Sequence, residues 1–234
     1  MTSDKSDISE KIKAAINFGL VPLLRQEGFR RQEANFYKRE EHVLTVVNVQ
    51  SSQHNSATIP YFDEGRFTLN FGVHFPSVAK VLHGADPMPP LPKEHFCLLR
   101  RRVGMLMPGG GDHWWTVTSS TDAEGLGAEL NSIWQMYVWP WLSKVRNVAG
   151  AAREMELNPG ALSGNLATAA AAFIVLGQRE KASELVEKQL EDLERQRERC
   201  HPSNQALLER YIAELKGWAA DNQLGGLSSS GKTP

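Results

Sequence analysis

Three arginines stand side by side at positions 100–102 and two tryptophans at 114 and 115. A guanidinium takes a carboxylate or a phosphate through two parallel hydrogen bonds, so a cluster of them invites an anion. On an extended segment Arg100 and Arg102 fall on one face and Arg101 on the other. Adjacent positive charges repel unless anions, carboxylates or water receive them. The triplet therefore reads in two ways: as a seat for an acidic partner or bound anion, or as an internal ion-pair set that also guards an edge strand against aggregation. Trp114 and Trp115 must also point to opposite sides of a strand, one into a core and the other onto a polar face. An exposed indole there would anchor a partner, and coverage by C-terminal helices is the alternative.

Other chemistries find less support. His95 and Cys97 are two residues apart, which suits one face of a strand, but no further metal ligands follow nearby. Cys97 is flanked by Phe96, Leu98 and Leu99, an apolar setting that raises a thiol pKa and makes a poor nucleophile. The glycines at 109–111 lead into Trp114 rather than into a helix, as a strand connection does and a phosphate cradle does not. Ser230, Gly231, Lys232 and Thr233 mimic the end of a phosphate-binding loop, with no helix after them to hold the phosphates. Glu40 with Glu41 and Asp63 with Glu64 fall in turn-like stretches. No catalytic residue, metal or cofactor is expected from these patterns, although a site assembled from distant residues remains open.

Phe67, Leu69, Phe71, Val73 and Phe75 alternate with Thr68, Asn70 and His74 in between. Period-two alternation marks a strand with its bulky face in a core. The hydrophilic set is then expected to look outward, and Asn48 and Gln50 on the preceding strand add to it. The expected binding surface is Asn48, Gln50, Thr68, Asn70, His74, Arg100, Arg102, Trp114 and Trp115.

The elements that must position these residues are legible in outline. Residues 8–27 carry a helical stripe of Ile8, Ile12, Ile16 and Leu20, with Asp7 and Glu10 as a capping box, a kink at Pro22 and a stop at Gly28. Strands are expected at 35–39, 43–50, 66–75, 96–103 and 114–119, separated by irregular loops at 51–65 and 86–92. A helix begins at Thr121 and Glu124, presents Leu126, Leu130, Ile133, Trp134, Tyr137 and Trp141, and ends or bends at Pro140. Strands in succession without long crossovers favour antiparallel pairing. The expected fold is α+β: a mostly antiparallel sheet of four to six strands packed by an N-terminal and a central helix, followed by an α-helical segment. That segment reads as helices at 166–176, 179–199 and 205–218, the first two like one tetratricopeptide hairpin. The domains are then 1–147, a helical part at 148–222 and a disordered tail at 223–234.

The 234 residues carry 27 acidic and 26 basic side chains, so no global field draws the protein to nucleic acid or to an anionic membrane. Two cysteines far apart argue against a disulfide scaffold and for a reducing compartment. No apolar run reaches the length of a membrane span or a secretory signal. A cytoplasmic protein is expected.

The runs Glu27-Gly28-Phe29, Asn35-Phe36-Tyr37, residues 46–52, residues 67–72, Arg100-x-Arg102-x-Gly104 and Trp114-Trp115, in that order, resemble a bacterial family known as domain of unknown function 4304, over residues 8–142. The resemblance implies a compact bacterial α+β domain with an added helical segment, and it assigns no activity or site residues. Small bacterial domains of this sort include immunity and antitoxin proteins. The function expected is a non-enzymatic protein-binding module, immunity-like or scaffolding, whose partner is a protein such as a cognate toxin. The alternative is a sensor of an anionic metabolite, or an enzyme, with its pocket between the sheet and the C-terminal helices.

Overall fold

Leu20 divides the N-terminal helix into α1 (Ser3–Gly19) and α2 (Val21–Gln26) in the computed structural model, which describes residues 3–52, 64–86, 88–159 and 165–224. Pro22 has no amide hydrogen to offer the Phe18 carbonyl, so the helix breaks where a kink is expected. Gly28 ends α2 at φ 86°, with its amide donating to the Arg25 carbonyl and that of Phe29 to Leu24. This is the double closure that a left-handed glycine makes at a helix end. Asp7 is not a cap, because the helix starts four residues before it.

The next four strands are β1 (Arg30–Gln32), β2 (Asn35–Arg39), β3 (Leu44–Ser51) and β4 (Glu64–His74). After them come α3 (Pro76–His83), β5 (Leu99–Arg102), α4 (Val103–Leu106) and β6 (Trp115–Thr118). All pairings are antiparallel, in the order β1-β2-β3-β4-β5. β6 pairs with β4 at Glu64–Phe67 and β5 pairs with it at Asn70–Val73, so the two short strands share one side of β4. The fold is therefore α+β with a six-stranded antiparallel sheet. The expected strand at 96–103 is shorter. Glu94–Phe96 forms a 3-10 turn, Cys97 lies outside any strand, and Val103 already opens α4.

The central helix α5 (Ala123–Ile133) is capped by Asp122, whose carboxylate accepts from the amides of Glu124 and Gly125. Thr121, the expected cap, instead accepts from the Thr118 amide. The chain stays helical past Pro140 through a π-helical turn, Trp134–Val138, into α6 (Trp139–Val145). The wider turn routes the Trp139 amide to the Trp134 carbonyl, just ahead of the residue with no amide hydrogen. α5 crosses α1 at Gly127 and Gly19, so close that a Cβ on Gly19 would collide with the Gly127 carbonyl.

Two compact units result, the first made of Met1–His74 with Met88–Arg146 and the second of Phe75–Pro87 with Asn147–Pro234. The chain enters the second unit first at Phe75, returns to the first at Met88 and leaves it again after Arg146. In the first unit Phe67, Leu69, Phe71 and Val73 are buried with Val47, Leu130 and Trp134. Burial of each large side chain contributes about 1.5–3 kcal/mol. β4 ends at His74, so Phe75, though buried, is no longer part of the alternation.

The second unit holds α3, α7 (Val148–Leu157), α8 (Leu166–Val175), α9 (Arg179–Arg199) and α10 (Pro202–Asp221). After residue 148 there are four helices rather than three among the described residues, because α7 precedes the expected set. Ala169, Ala172 and Ala182 let α8 and α9 pack closely, and Gly177 at φ 73° turns the chain between them. Trp218 of α10 donates its indole hydrogen to the Val81 carbonyl of α3 at 2.9 Å. Most of the 51–65 loop, the motif at 230–233 and nearly all of the 223–234 tail lie outside the described residues.

Candidate functional site

Pairing register places four polar residues in one row across four strands: Asn35, Asn48, Asn70 and Arg102. Neighbours in such a row stand about 4.5–5.5 Å apart at Cβ, near enough for amides to bond directly. Asn48 Nδ2 donates to Asn35 Oδ1 at 2.8 Å. Asn70 Nδ2 donates to Gln50 Oε1 at 2.8 Å and to Asn48 Oδ1 at 3.3 Å. Asn70 Oδ1 in turn accepts from Arg102 Nε at 3.1 Å. The row ends in a cation whose orientation is set by amides.

Arg102 has two further partners. Its Nη2 donates to Gln50 Oε1 at 3.3 Å and its Nη1 to Asp112 Oδ1 at 2.7 Å. Asp112 Oδ2 accepts from Trp114 Nε1 at 2.9 Å, and the guanidinium lies 5.4 Å from the Trp114 ring centre. The hydrogen bonds from Arg102 and then Trp114 hold the Asp112 carboxyl below its ordinary range. Thr68 Oγ1 donates to the His113 carbonyl at 2.7 Å, which ties the loop before β6 to the same face.

The alternation along β4 gives the right face for each residue, but the hydrophilic face is not open. Thr68, Asn70 and His74 are buried. Thr68 lies under the His113 backbone, and Asn70 under Arg102 and Gln50. Farther along the face the segment from Met88 to Cys97 lies over β3 and β4, where Leu44, Val46 and Cys97 form a small second core joined by Tyr37 and Met88. Asn48, Gln50, Arg102 and Trp114 are half-buried and form its accessible rim.

The arginine triplet splits as the pleat demands. Arg101 is buried on the main-core face, where Nη1 donates to the Arg100 carbonyl at 2.8 Å. Arg100 pairs with Glu94 at 3.1 Å and Arg102 with Asp112, so both outer arginines have internal carboxylates. Trp115 does not belong to the candidate surface. It enters the main core, stacks on Phe67 at 5.1 Å and donates its indole hydrogen to Glu129 at 2.9 Å.

Burial, reinforced by the Glu94 charge and opposed by Arg100, pushes the Cys97 thiol up to about 12. It is a packing group, not a nucleophile. Among the described residues no group of three His, Cys, Asp or Glu side chains is placed to hold a metal ion, and no helix is long and apolar enough to cross a membrane.

Asn35, Glu94 and Asp112 take part without having been singled out for it. Only the register of β2 on β3 reveals Asn35, and Asp112 gave no signal beyond its place after a glycine run. No curated protein and no solved structure matches the chain. The model of one family, described as Domain of unknown function (DUF4304), matches residues 20–144, the stretch that contains every strand among the described residues and all of the amide row. With more than half of its length so matched, this chain belongs to the DUF4304 family.

Proposed function

We propose that this protein is a non-enzymatic protein-binding module that engages its partner through the rim of the second sheet face: Asn48, Gln50, Arg102 and Trp114. The observation that carries the reading is the Arg102–Trp114 pair, a half-buried cation stacked on a half-buried indole and held from below by buried Asn70. Arginine and tryptophan are enriched among the residues that carry interface energy, and Arg102 is already held by Asn70 and Gln50, which leaves less of it to order on binding. The surrounding amides bond to one another, which fixes the surface before a partner arrives. Asp112, the carboxyl nearest to Arg102, is held ionised rather than moved toward neutrality, as a general acid or base would need.

Affinity capture from the native host with the full chain, wild type against Trp114→Ala, tests the reading. A partner held by the wild type and lost or weakened at least tenfold by the variant supports it. Identical captured sets, with both proteins folded by circular dichroism, overturn it.

A further inference from the structure

The carboxylate at this site belongs to the protein itself. Asp112 puts one oxygen on Arg102 Nη1 and the other on Trp114 Nε1, at 2.7 and 2.9 Å. Two converging donors meeting two oxygens is the way a carboxylate is recognised. Arg102 is firmly placed: Asn70 and Gln50 hold it, its side chain is 24% exposed, and the Trp114 ring lies against it with its centre 5.4 Å away. Asp112 is not. Its side chain is 56% exposed, on a turn where Gly109, Gly110 and Gly111 have no atoms within 4 Å of a Cβ position. The backbone beside it stays anchored, because Gly104 packs against Gly111 and His113 and Thr68 holds the His113 carbonyl. The carboxylate can thus leave by rotating its own side chain, on a picosecond-to-nanosecond scale, with the donors still aimed at the empty seat.

We propose that Asp112 is a built-in competitor, occupying on Arg102 and Trp114 the seat that receives a carboxylate from an acidic segment of the partner protein. This inference rests on the binding reading above and names the chemistry of its partner. An internal carboxylate lowers the affinity of an incoming one by the fraction of time it fills the seat. A single acidic side chain then binds weakly, and a segment that carries several gains at one seat only in proportion to their number, so the rest of the segment must add contacts along the rim. Specificity follows from this arrangement, since a stray anion must displace Asp112 without help.

The test follows the Arg102 Nε–H and Trp114 Nε1–H signals of the nitrogen-15-labelled full chain by nuclear magnetic resonance. The probe is the peptide acetyl-Gly-Glu-Gly-Glu-Gly-amide, with the Gln counterpart and inorganic phosphate as comparison arms. In Asp112→Ala, and in Asp112→Asn, which keeps an acceptor for Trp114, the Glu peptide should shift both signals at about tenfold lower concentration than in the wild type. That is the gain when a competitor filling the seat about nine-tenths of the time is removed. Equal response to the Gln peptide, response to phosphate alone, or no gain in either folded variant overturns the proposal. If the peptide fails while Trp114→Ala still alters the captured partners, the competitor falls and the binding module stands. The reverse pattern sinks the module and keeps the seat.

Discussion

The sulfur of Cys97 lies 2.6 Å from the place that a Cβ on Gly72 would occupy, and the Glu94 carbonyl lies 2.9 Å from it. The missing side chain is what lets the 3-10 turn rest directly on β4. Gly72→Ala must lift that turn or distort the strand, at a cost of about 1–3 kcal/mol. The expected result is a lower urea midpoint with an unchanged slope, and an unchanged midpoint would show that the covering segment yields freely.

Cys97 should be silent to thiol reagents in the native state, because its folded titration point, about 12, leaves almost no thiolate at neutral pH. Cys200 is half-buried. A disulfide-exchange assay should therefore count no more than one thiol before denaturant and two after it. The raised folded value also fixes a sign: the contribution of Cys97 to stability is whole below the ordinary value of 9.0 and is lost as pH rises toward 12. Cys97→Ala should flatten the alkaline limb of a stability-against-pH curve.

Asn70 is 3% exposed and serves as donor to two side chains and acceptor for Arg102. Asn70→Ala strands the Arg102 Nε–H and the Asn48 oxygen, and because both residues are half-buried the cost is toward the lower end of the roughly 1–3 kcal/mol of an unsatisfied buried group. Chemical denaturation should register the loss. Asn70→Asp would restore the contact with Arg102 while leaving the Asn48 oxygen without its donor and Gln50 Oε1 with Arg102 alone, so it should recover only part of the stability.

Asp112 titrates below its ordinary 3.8 in the folded chain, chiefly through the Arg102 hydrogen bond and then that from Trp114. Its contribution to stability is present above 3.8 and disappears as pH falls through the lowered folded value. The effect is small, since the carboxyl is largely in water. The Trp114 indole signal should change along with the carboxyl in an acid titration, and Arg102→Gln should move that transition upward toward 3.8. An indole signal that ignores the titration would separate Trp114 from Asp112.

Much of the candidate site is legible from the chain because side-chain direction along a strand has a fixed period of two. That period alone separates Arg101 from its neighbours and puts Asn70 and Arg102 on one side of the sheet. Asn35 was missed because its place opposite Asn48 depends on how two strands slide into register. β1, α3 and α7 were missed too; β1, of three residues, is too short for any period to declare itself. Trp114 and Trp115 face opposite ways by local geometry, yet only the position of β6 beside Phe67 decides which of them enters the core.

By itself the sequence determined the two faces of β4, the break at Pro22, the stop at Gly28 and the splitting of the arginines, all consequences of backbone geometry within a few residues. The tertiary structure decided what happens to the hydrophilic face. Glu94–Cys97 and the loop before β6 come to rest on it over Gly72 and Thr68, from 20 to 45 positions away in the chain, and Asn70 lies beneath Arg102 and Gln50, so Thr68, Asn70 and His74 are interior rather than surface. Periodicity reports which side of a pleat a residue takes. It carries no information about which distant segment will cover that side, since this depends on the space left at Gly72 and on the partners waiting there.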